Sequence, residues 1–124
     1  MKKINFFEWI WVNVASVALT FKYSVVALYV CARHKNPRTK IDQVCRLWSH
    51  ALLRLIDLRW TVLGSMPELQ PQRRYIIMCS HASHYDIPLS FVAVNGSMRM
   101  LAKNELGKIP VFGQAMRKSE FVFI

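Results

Sequence analysis

The sequence predicts an α/β protein: an N-terminal two-helix membrane-attachment motif, followed by the first half of a mainly parallel α/β domain. Two observations support this prediction. Residues 9–32 form a long apolar run with one charge, Lys22, whereas the chain after Arg59 alternates short apolar runs with stretches of helical length. The first pattern is typical of a membrane helix, and the second of parallel strands joined by crossover helices. We therefore divide the chain into residues 1–58 and residues 59–124.

Composition narrows the possible partners. The 124 residues carry 17 Lys and Arg against 7 Asp and Glu, a net charge of +10, which favours an anionic partner. Basic residues cluster at 33–40, directly after the apolar run, as in juxtamembrane segments. Aromatic residues lie away from the basic stretches, so nucleic acid is not expected. The three cysteines show no C-x-x-C spacing, which indicates free thiols in a reducing compartment.

The first helix is expected over residues 9–32. At about 1.5 Å per residue it reaches roughly 36 Å, enough for a hydrocarbon core of ~30 Å. Lys22 opposes insertion by about 2.5–3.5 kcal/mol, which the surrounding apolar residues can offset. Aromatic side chains suited to the membrane interfaces lie in the same run: Trp9, Trp11, Tyr23 and Tyr29.

Two other interpretations of this run remain open. Met1-Lys2-Lys3 gives the basic start of a signal peptide, although no small-x-small cleavage site follows. A buried hairpin helix of a soluble fold is the second, although the run is long for a core helix. If the helix spans, the basic residues after it outweigh those before it, which predicts that the rest of the chain lies on the cytoplasmic face of the inner or plasma membrane.

A second helix is expected after Asn36-Pro37. Thr39 is the predicted N-cap, with Asp42 three residues later as in a capping box. Apolar residues then recur at helical spacing on one face: Ile41, Val44, Trp48, Leu52 and Leu55. A polar stripe on another face, Arg46, His50 and Arg54, either contacts lipid phosphates or is a solvated face.

The second half predicts strands over residues 60–63, 75–79, 98–102 and 121–124, with helices over 86–94 and 104–117. Ligands of parallel sheets gather at the carboxyl ends of the strands. Ser80, His81 and Asp86 follow the strand predicted at 75–79 and occupy such a position. The sequence therefore predicts the functional site there.

The spacing of His81 and Asp86 suits general-base chemistry. If a helix begins near Asp86, its carboxylate can turn back to the imidazole and fix the tautomer, which leaves the other ring nitrogen to take a proton from a hydroxyl. Three alternatives remain open. His81, His84 and Asp86 could bind a metal for hydrolysis; Cys79 could be a thiol nucleophile beside His81; or His81 could simply cap the helix.

Three stretches resemble the glycerolipid acyltransferase family that includes the 1-acyl-sn-glycerol-3-phosphate acyltransferases. "SHASHYD" at 80–86 is similar to the family's N-H-x-x-x-x-D motif, with Ser80 in place of the usual Asn and Ser83 at a common serine position. "LAKNELGKIPVFGQAM" at 101–116 is similar to the following segment, and "SEFVFI" at 119–124 to the start of the second motif. The resemblance covers roughly residues 60–124.

The resemblance implies a reaction. His81 would deprotonate the free hydroxyl of a lysophosphatidate-like acceptor, Asp86 would hold His81, and the acceptor oxygen would attack the thioester of acyl-CoA or acyl-carrier protein. Lys103 and Ser83 are the implied candidates for substrate binding. No bound cofactor or metal is implied; the implied partners are the acyl donor, the lysophospholipid acceptor and the lipid bilayer.

Some family motifs do not occur within the 124 residues. These are the arginine that completes the second motif, an E-G-T-R-like phosphate loop and a later proline-containing motif. We therefore expect an N-terminal fragment of an acyltransferase that is inactive, or nearly so, by itself. The alternative is a non-catalytic basic module that only binds membranes.

Overall fold

The first helix, α1, covers Phe6–Arg33 and is longer at both ends than the predicted 9–32. The computed structural model describes residues 4–124, so Met1, Lys2 and Lys3, with the basic start they provide, lie outside the described part. A capping box starts α1: the Asn5 side chain accepts from the Glu8 amide at 2.7 Å, and the Glu8 carboxylate accepts from the Asn5 amide at 3.1 Å. These two bonds satisfy backbone donors that a helix start leaves free.

The surface of α1 is mostly apolar and exposed. Among residues 4–124 it is the one helix long and apolar enough to cross a bilayer, by length and composition. A core helix or a signal sequence passes the same test, but only 11% of the apolar window of α1 is buried. A core helix of a soluble protein is mostly buried, so the exposure of α1 is a weak indication of membrane association.

The second helix, α2, covers Arg38–Leu55 and follows the Asn36-Pro37 connection as predicted. Its predicted cap is wrong. Pro37 is the N-cap residue, its carbonyl accepts from the amide of Ile41 at 2.8 Å, and no side-chain cap forms. Asp42 instead accepts from Nη1 of Arg99 at 2.6 Å. A charge-assisted hydrogen bond to a buried guanidinium is stronger than a hydrogen bond to an exposed amide, which explains why Asp42 pairs with Arg99 and does not cap α2.

The α1–α2 pair packs directly onto the second half of the chain. α1 lies against α2 and also against α4, which covers Phe112–Lys118. The shared core contains Ala27 from α1, Ile41 and Val44 from α2, and Ala115 from α4. The predicted boundary between residues 58 and 59 stays a prediction, and side chains from both sides of it form one apolar cluster.

The second half contains a small parallel β-α-β unit. α3 covers Asp86–Ala93, close to the predicted 86–94. Strand β1, Leu101–Ala102, pairs in parallel with β2, Val122–Phe123, with Leu101 opposite Val122. Helices cross between the two strands, as the sequence predicts. The chain therefore has the mixed helix and strand content expected, but it is mostly helical.

The helix predicted over 104–117 is interrupted. A 3₁₀ helix, Asn104–Lys108, is followed by a turn and then by α4. Pro110 lacks a backbone N–H, and Val111 adopts a positive φ of 65°, so a continuous helix cannot pass. The turn brings Gly113 against Gly107 so closely that a Cβ on Gly113 would overlap the Gly107 carbonyl.

Two predicted strands, over residues 60–63 and 75–79, are absent from the described residues. Both segments are irregular and exposed, with Leu63 at 91%, Ile76 at 93% and Met78 at 91% exposure. The other two strands are shorter than predicted. A strand forms only where a neighbour pairs with its backbone groups, and within residues 4–124 no strand pairs with these two segments.

Candidate active site

Asp86 closes the turn that carries the predicted site. It stands at the first residue of α3, and its Oδ2 atom accepts from the backbone amides of Ala82 and Ser83, both at 2.7 Å. The amide of Asp86 in turn donates to the Ser83 carbonyl at 3.1 Å. An aspartate in this position is favoured because its short side chain reaches main-chain donors a few residues away. The carboxylate therefore has a fixed place at the start of the helix.

His81 faces this carboxylate across the turn. Its Nδ1 atom lies 3.4 Å from Oδ2 of Asp86, within ion-pair distance but beyond the ~2.7–3.2 Å of a good hydrogen bond. The His81 side chain is 54% exposed and that of Asp86 is 32% exposed, so solvent and ligands reach the ring. With Nδ1 directed at the carboxylate, Nε2 is the ring nitrogen left for a proton acceptor role.

The turn also keeps Asp86 ionised. Backbone hydrogen bonds from Ser83 and then from Ala82 hold the pKa of Asp86 below its ordinary value of 3.8, and the His81 ring acts in the same direction. A carboxylate that stays charged at neutral pH favours the Nδ1–H tautomer and stabilises the imidazolium that forms on proton uptake. The local geometry and charge thus suit a His–Asp general base.

The other two candidate residues lie nearby but differ in their contacts. Ser83 holds the turn, because its hydroxyl accepts from the amide of Tyr85 at 3.2 Å. Lys103 is exposed at the end of β1 and lines the same cavity as His81. A substrate-binding role for either residue stays a prediction.

The cavity beside His81 is large and mainly apolar. Its volume is about 620 Å³, and side chains from α1, α2, α3, the 3₁₀ helix and α4 line it. Contributions from α1 and α2, including Thr20, Ser24 and Trp48, were not foreseen from the sequence. Nothing in the local patterns of α1 and α2 marks these residues as cavity-lining, because their role depends on which helix faces meet the second half.

The structure can be compared with the three alternative interpretations of the site: a metal site, a Cys79 nucleophile and a helix cap by His81. No group of three His, Cys, Asp or Glu side chains among residues 4–124 is arranged to hold a metal ion, so His81, His84 and Asp86 do not form the alternative site. Cys79 is exposed and lines a different cavity from His81. α3 has no side-chain cap, so His81 does not cap it.

Comparison with known proteins agrees with the geometry at the level of family. The Acyltransferase family model matches residues 63–124, half of the chain, and this range includes His81, Asp86, β1, α4 and β2. No curated protein and no solved structure matches the chain. The match covers the turn and the β-α-β unit that follows it. The chain belongs to the Acyltransferase family.

Proposed function

We propose that this chain provides the general base of a membrane-associated acyltransferase that acylates the free hydroxyl of lysophosphatidate in phospholipid synthesis. Family membership supports acyl transfer as the general activity. The observation that carries the specific proposal is the His81–Asp86 pair, 3.4 Å apart, whose histidine lines an apolar cavity. A base beside an apolar cavity suits a substrate that joins a hydroxyl to a hydrocarbon chain.

In the proposed reaction, Nε2 of His81 takes the proton of the acceptor hydroxyl as its oxygen attacks the thioester carbonyl carbon. The new carbon–oxygen bond forms and the carbon–sulfur bond of acyl-CoA or acyl-carrier protein breaks. The imidazolium then returns its proton to the leaving thiolate, so His81 ends neutral. Asp86 stays ionised throughout and stabilises the imidazolium.

Charged groups of the substrates have candidate partners near the base. Lys103 lines the His81 cavity and is exposed, so its ammonium can meet a phosphate of the acceptor or of the donor's carrier. We further propose that most phosphate binding comes from motifs that do not occur within residues 1–124, the arginine of the second motif and the E-G-T-R-like loop. The 124 residues by themselves are then expected to turn over very slowly.

We place this site at the membrane surface, on the cytoplasmic side. α1 exposes large apolar side chains along its outer face, including Phe7 at 79% and Val17 at 71% exposure. Lys22, the one charge in the apolar run, lies 5.5 Å from the ring centre of Tyr23, a cation–π contact that offsets part of its cost. Basic residues at 33–40 follow, and they suit anionic headgroups.

An acyl-transfer assay tests the proposal in two proteins. The first is the 124-residue chain, and the second joins residues 1–124 to the C-terminal half of a characterised 1-acylglycerol-3-phosphate acyltransferase, which supplies the missing motifs. With radiolabelled acyl-CoA and lysophosphatidate, we expect phosphatidate from the joined protein and little from the short chain. Rapid turnover by the short chain would contradict the argument from the missing motifs. No acceptor-dependent product from a folded joined protein would contradict the proposed activity.

The non-catalytic alternative has its own support, because the exposed face of α1 and the basic residues 33–40 suffice for membrane binding. Vesicle flotation separates the two functions. Binding to anionic vesicles is expected to be the same with His81→Ala as without it, since His81 belongs neither to α1 nor to the basic residues 33–40. The alternative is favoured if such binding is strong and the joined protein forms no ester.

A further inference from the structure

One face of α2 meets the connection between α3 and β1 through polar side chains. Arg38, Asp42 and Arg46 recur at every fourth position and therefore lie on the same side of the helix. We refer to these three residues as the α2 clamp. Each of them contacts the segment 94–99, which joins α3 to β1. The clamp thus attaches the second half to α2 in addition to the apolar cluster that α1, α2 and α4 share.

Arg46 makes its contacts at the end of α3. Its Nη2 atom donates to the carbonyl of Val94, the C-cap residue of α3, and to Oδ1 of Asn95, with both distances at 3.4 Å. The last carbonyls of a helix have no partner within the helix, and a basic side chain satisfies them and complements the helix dipole. The sequence leaves Arg46 either lipid-facing or solvated, whereas the structure directs its guanidinium to protein.

The position of α3 on α2 determines where Asp86 lies. α3 packs against α2, and the buried ring of Phe91 lies edge-on to Trp48, with 6.3 Å between the ring centres. Asp86 is the first of the eight residues of α3, a helix of about 12 Å. A tilt of ~5° about its C-terminal end would move Asp86 by about 1 Å, and a misplacement of that size can cost about 10²-fold in rate.

α2 supports two sides of the site. The turn that holds His81 and Asp86 is closed by local hydrogen bonds and continues into α3, so it moves with that helix. Lys103, the proposed partner of a substrate phosphate, lies on the other side, directly after β1. Two residues before β1, Nη1 of Arg99 lies 2.6 Å from Asp42 of the α2 clamp. The clamp therefore holds α3 on one side and the start of β1 on the other.

We propose that Arg46 is a positioning residue of the acyltransferase site: by holding the C-terminal end of α3 on α2, it sets the position of His81 relative to Lys103. The proposal rests on the proposed function and adds that the two-helix motif aligns the site as well as attaching it to a membrane. Arg46 acts through α3 and makes no contact with the reacting groups.

Steady-state kinetics of the joined protein provide the first test. Arg46→Met removes the donor, and kcat is expected to fall by about ten-fold or more while KM stays within about three-fold. Arg46→Lys should regain most of the loss, because one nitrogen makes both contacts and an ammonium can replace it. Arg54→Met, in the exposed last turn of the same helix, is the matched control and should leave kcat unchanged. If Arg46→Met does not fold, Asn95→Ala removes one of the two acceptors and should cause a smaller loss.

Electron paramagnetic resonance on the 124-residue chain tests the position itself without turnover. One nitroxide label is attached to Cys79, which is exposed and lies two residues before His81. The second is attached to Lys108→Cys, at the end of the 3₁₀ helix that follows β1. Cys31 and Cys45 are replaced by Ala in every protein, the parent included. The distances between the two labels then report how the His81 side of the site lies relative to the β1 side.

The distance distribution is expected to shift or broaden with Arg46→Met, to return with Arg46→Lys and to stay unchanged with Arg54→Met. Identical distributions in the two folded Met variants overturn the proposal, as do equal kcat values or a loss of kcat that Arg46→Lys does not regain. The outcome is separable from the proposed function. If the joined parent makes no ester while the distances change with Arg46→Met alone, the proposed reaction fails and the positioning contact stands.

Discussion

Nδ1 of His81 lies 3.4 Å from Oδ2 of Asp86, and the same oxygen accepts from the amides of Ala82 and Ser83 at 2.7 Å. The main chain thus fixes the carboxylate before it meets the imidazole. Substrate binding then only has to move the ring by a few tenths of an ångström to form a good hydrogen bond, as is common when a catalytic site fills. This arrangement underlies the first two predictions.

Replacing Asp86 by Asn should lower kcat of the joined protein by a factor of about 10²–10⁴ with a small change in KM. Asn retains an oxygen that can accept from the turn amides, but it lacks the charge that stabilises the imidazolium. Steady-state kinetics with varied acceptor provide the measurement. Asp57→Asn is the matched control, because Asp57 is exposed, far from the site in sequence, and has a positive φ of 48° that Asn also adopts readily. A kcat equal for both variants would contradict the role of Asp86.

The stability of the turn at residues 81–86 should depend on pH, because it depends on the ionised carboxylate of Asp86. Because the folded pKa of Asp86 is below the ordinary 3.8, its stabilising contribution is fully present above pH 3.8 and is lost as pH falls through the lower, folded value. NMR titration of the Asp86 carboxyl carbon measures its folded pKa, and hydrogen exchange of the Ala82 and Ser83 amides measures whether the turn is intact. Protection of the two amides should disappear together with protonation. A midpoint at or above 3.8 would show that the amides do not hold the carboxylate.

The ion pair between Arg99 and Asp42 should contribute more to stability than the one between Arg38 and Glu120. Nη1 of Arg99 lies 2.6 Å from Asp42 with side chains only 8% and 19% exposed, whereas the second pair, at 3.2 Å, is 59% and 61% exposed. Arg99→Met leaves a largely buried carboxylate unpaired and should cost about 3–5 kcal/mol. Arg38→Met should cost about 0–1 kcal/mol.

Chemical denaturation in mild detergent measures both changes. Adding Asp42→Asn to Arg99→Met should recover part of the loss, because the unpaired charge is removed. Equal costs for the buried and exposed pairs, or no recovery in the double variant, would contradict the assigned contact between α2 and the segment before β1.

Thiol reactivity should separate two of the cysteines. Burial raises the pKa of Cys45 from 9.0 to about 11, so at pH 8 its thiolate is about 100-fold scarcer than that of an ordinary thiol. Cys79 is exposed. Iodoacetamide followed by peptide mass mapping should therefore modify Cys79 well before Cys45. Equal rates at pH 8 in the folded protein would mean that Cys45 does not pack against the apolar cluster shared by α1, α2 and α4.

Structural features that depend only on neighbouring residues were predicted well from the sequence. The long apolar run, the Asn36-Pro37 break and the helix after Asp86 correspond to α1, the α1–α2 connection and α3. Each of these features is determined by the spacing of apolar residues or by a residue, such as proline, that ends a helix. The turn that brings His81 to Asp86 is equally local, since only four residues separate them and the closing bonds are to the main chain.

Features that depend on distant partners were predicted poorly. Apolar residues at 60–63 and 75–79 favour strands, but strand formation needs a neighbouring backbone, and none pairs with them among residues 4–124. The position of Asp42 matched a capping-box pattern, but its carboxylate instead accepts a hydrogen bond from Arg99, which is 57 residues away. The wall that α1 and α2 give to the cavity has the same origin, because helix docking decides which of their faces is enclosed.

The central claim is that His81 is the base, and a comparison of two histidines tests it most directly. His81 and His84 are exposed, line the same cavity and are three residues apart, but only His81 faces Asp86. In the joined protein, phosphatidate formation from acyl-CoA and lysophosphatidate should fall by at least about 10²-fold with His81→Ala. The rate with His84→Ala should stay within a few-fold of the parent. Transfer that survives His81→Ala at the parent rate would contradict the account.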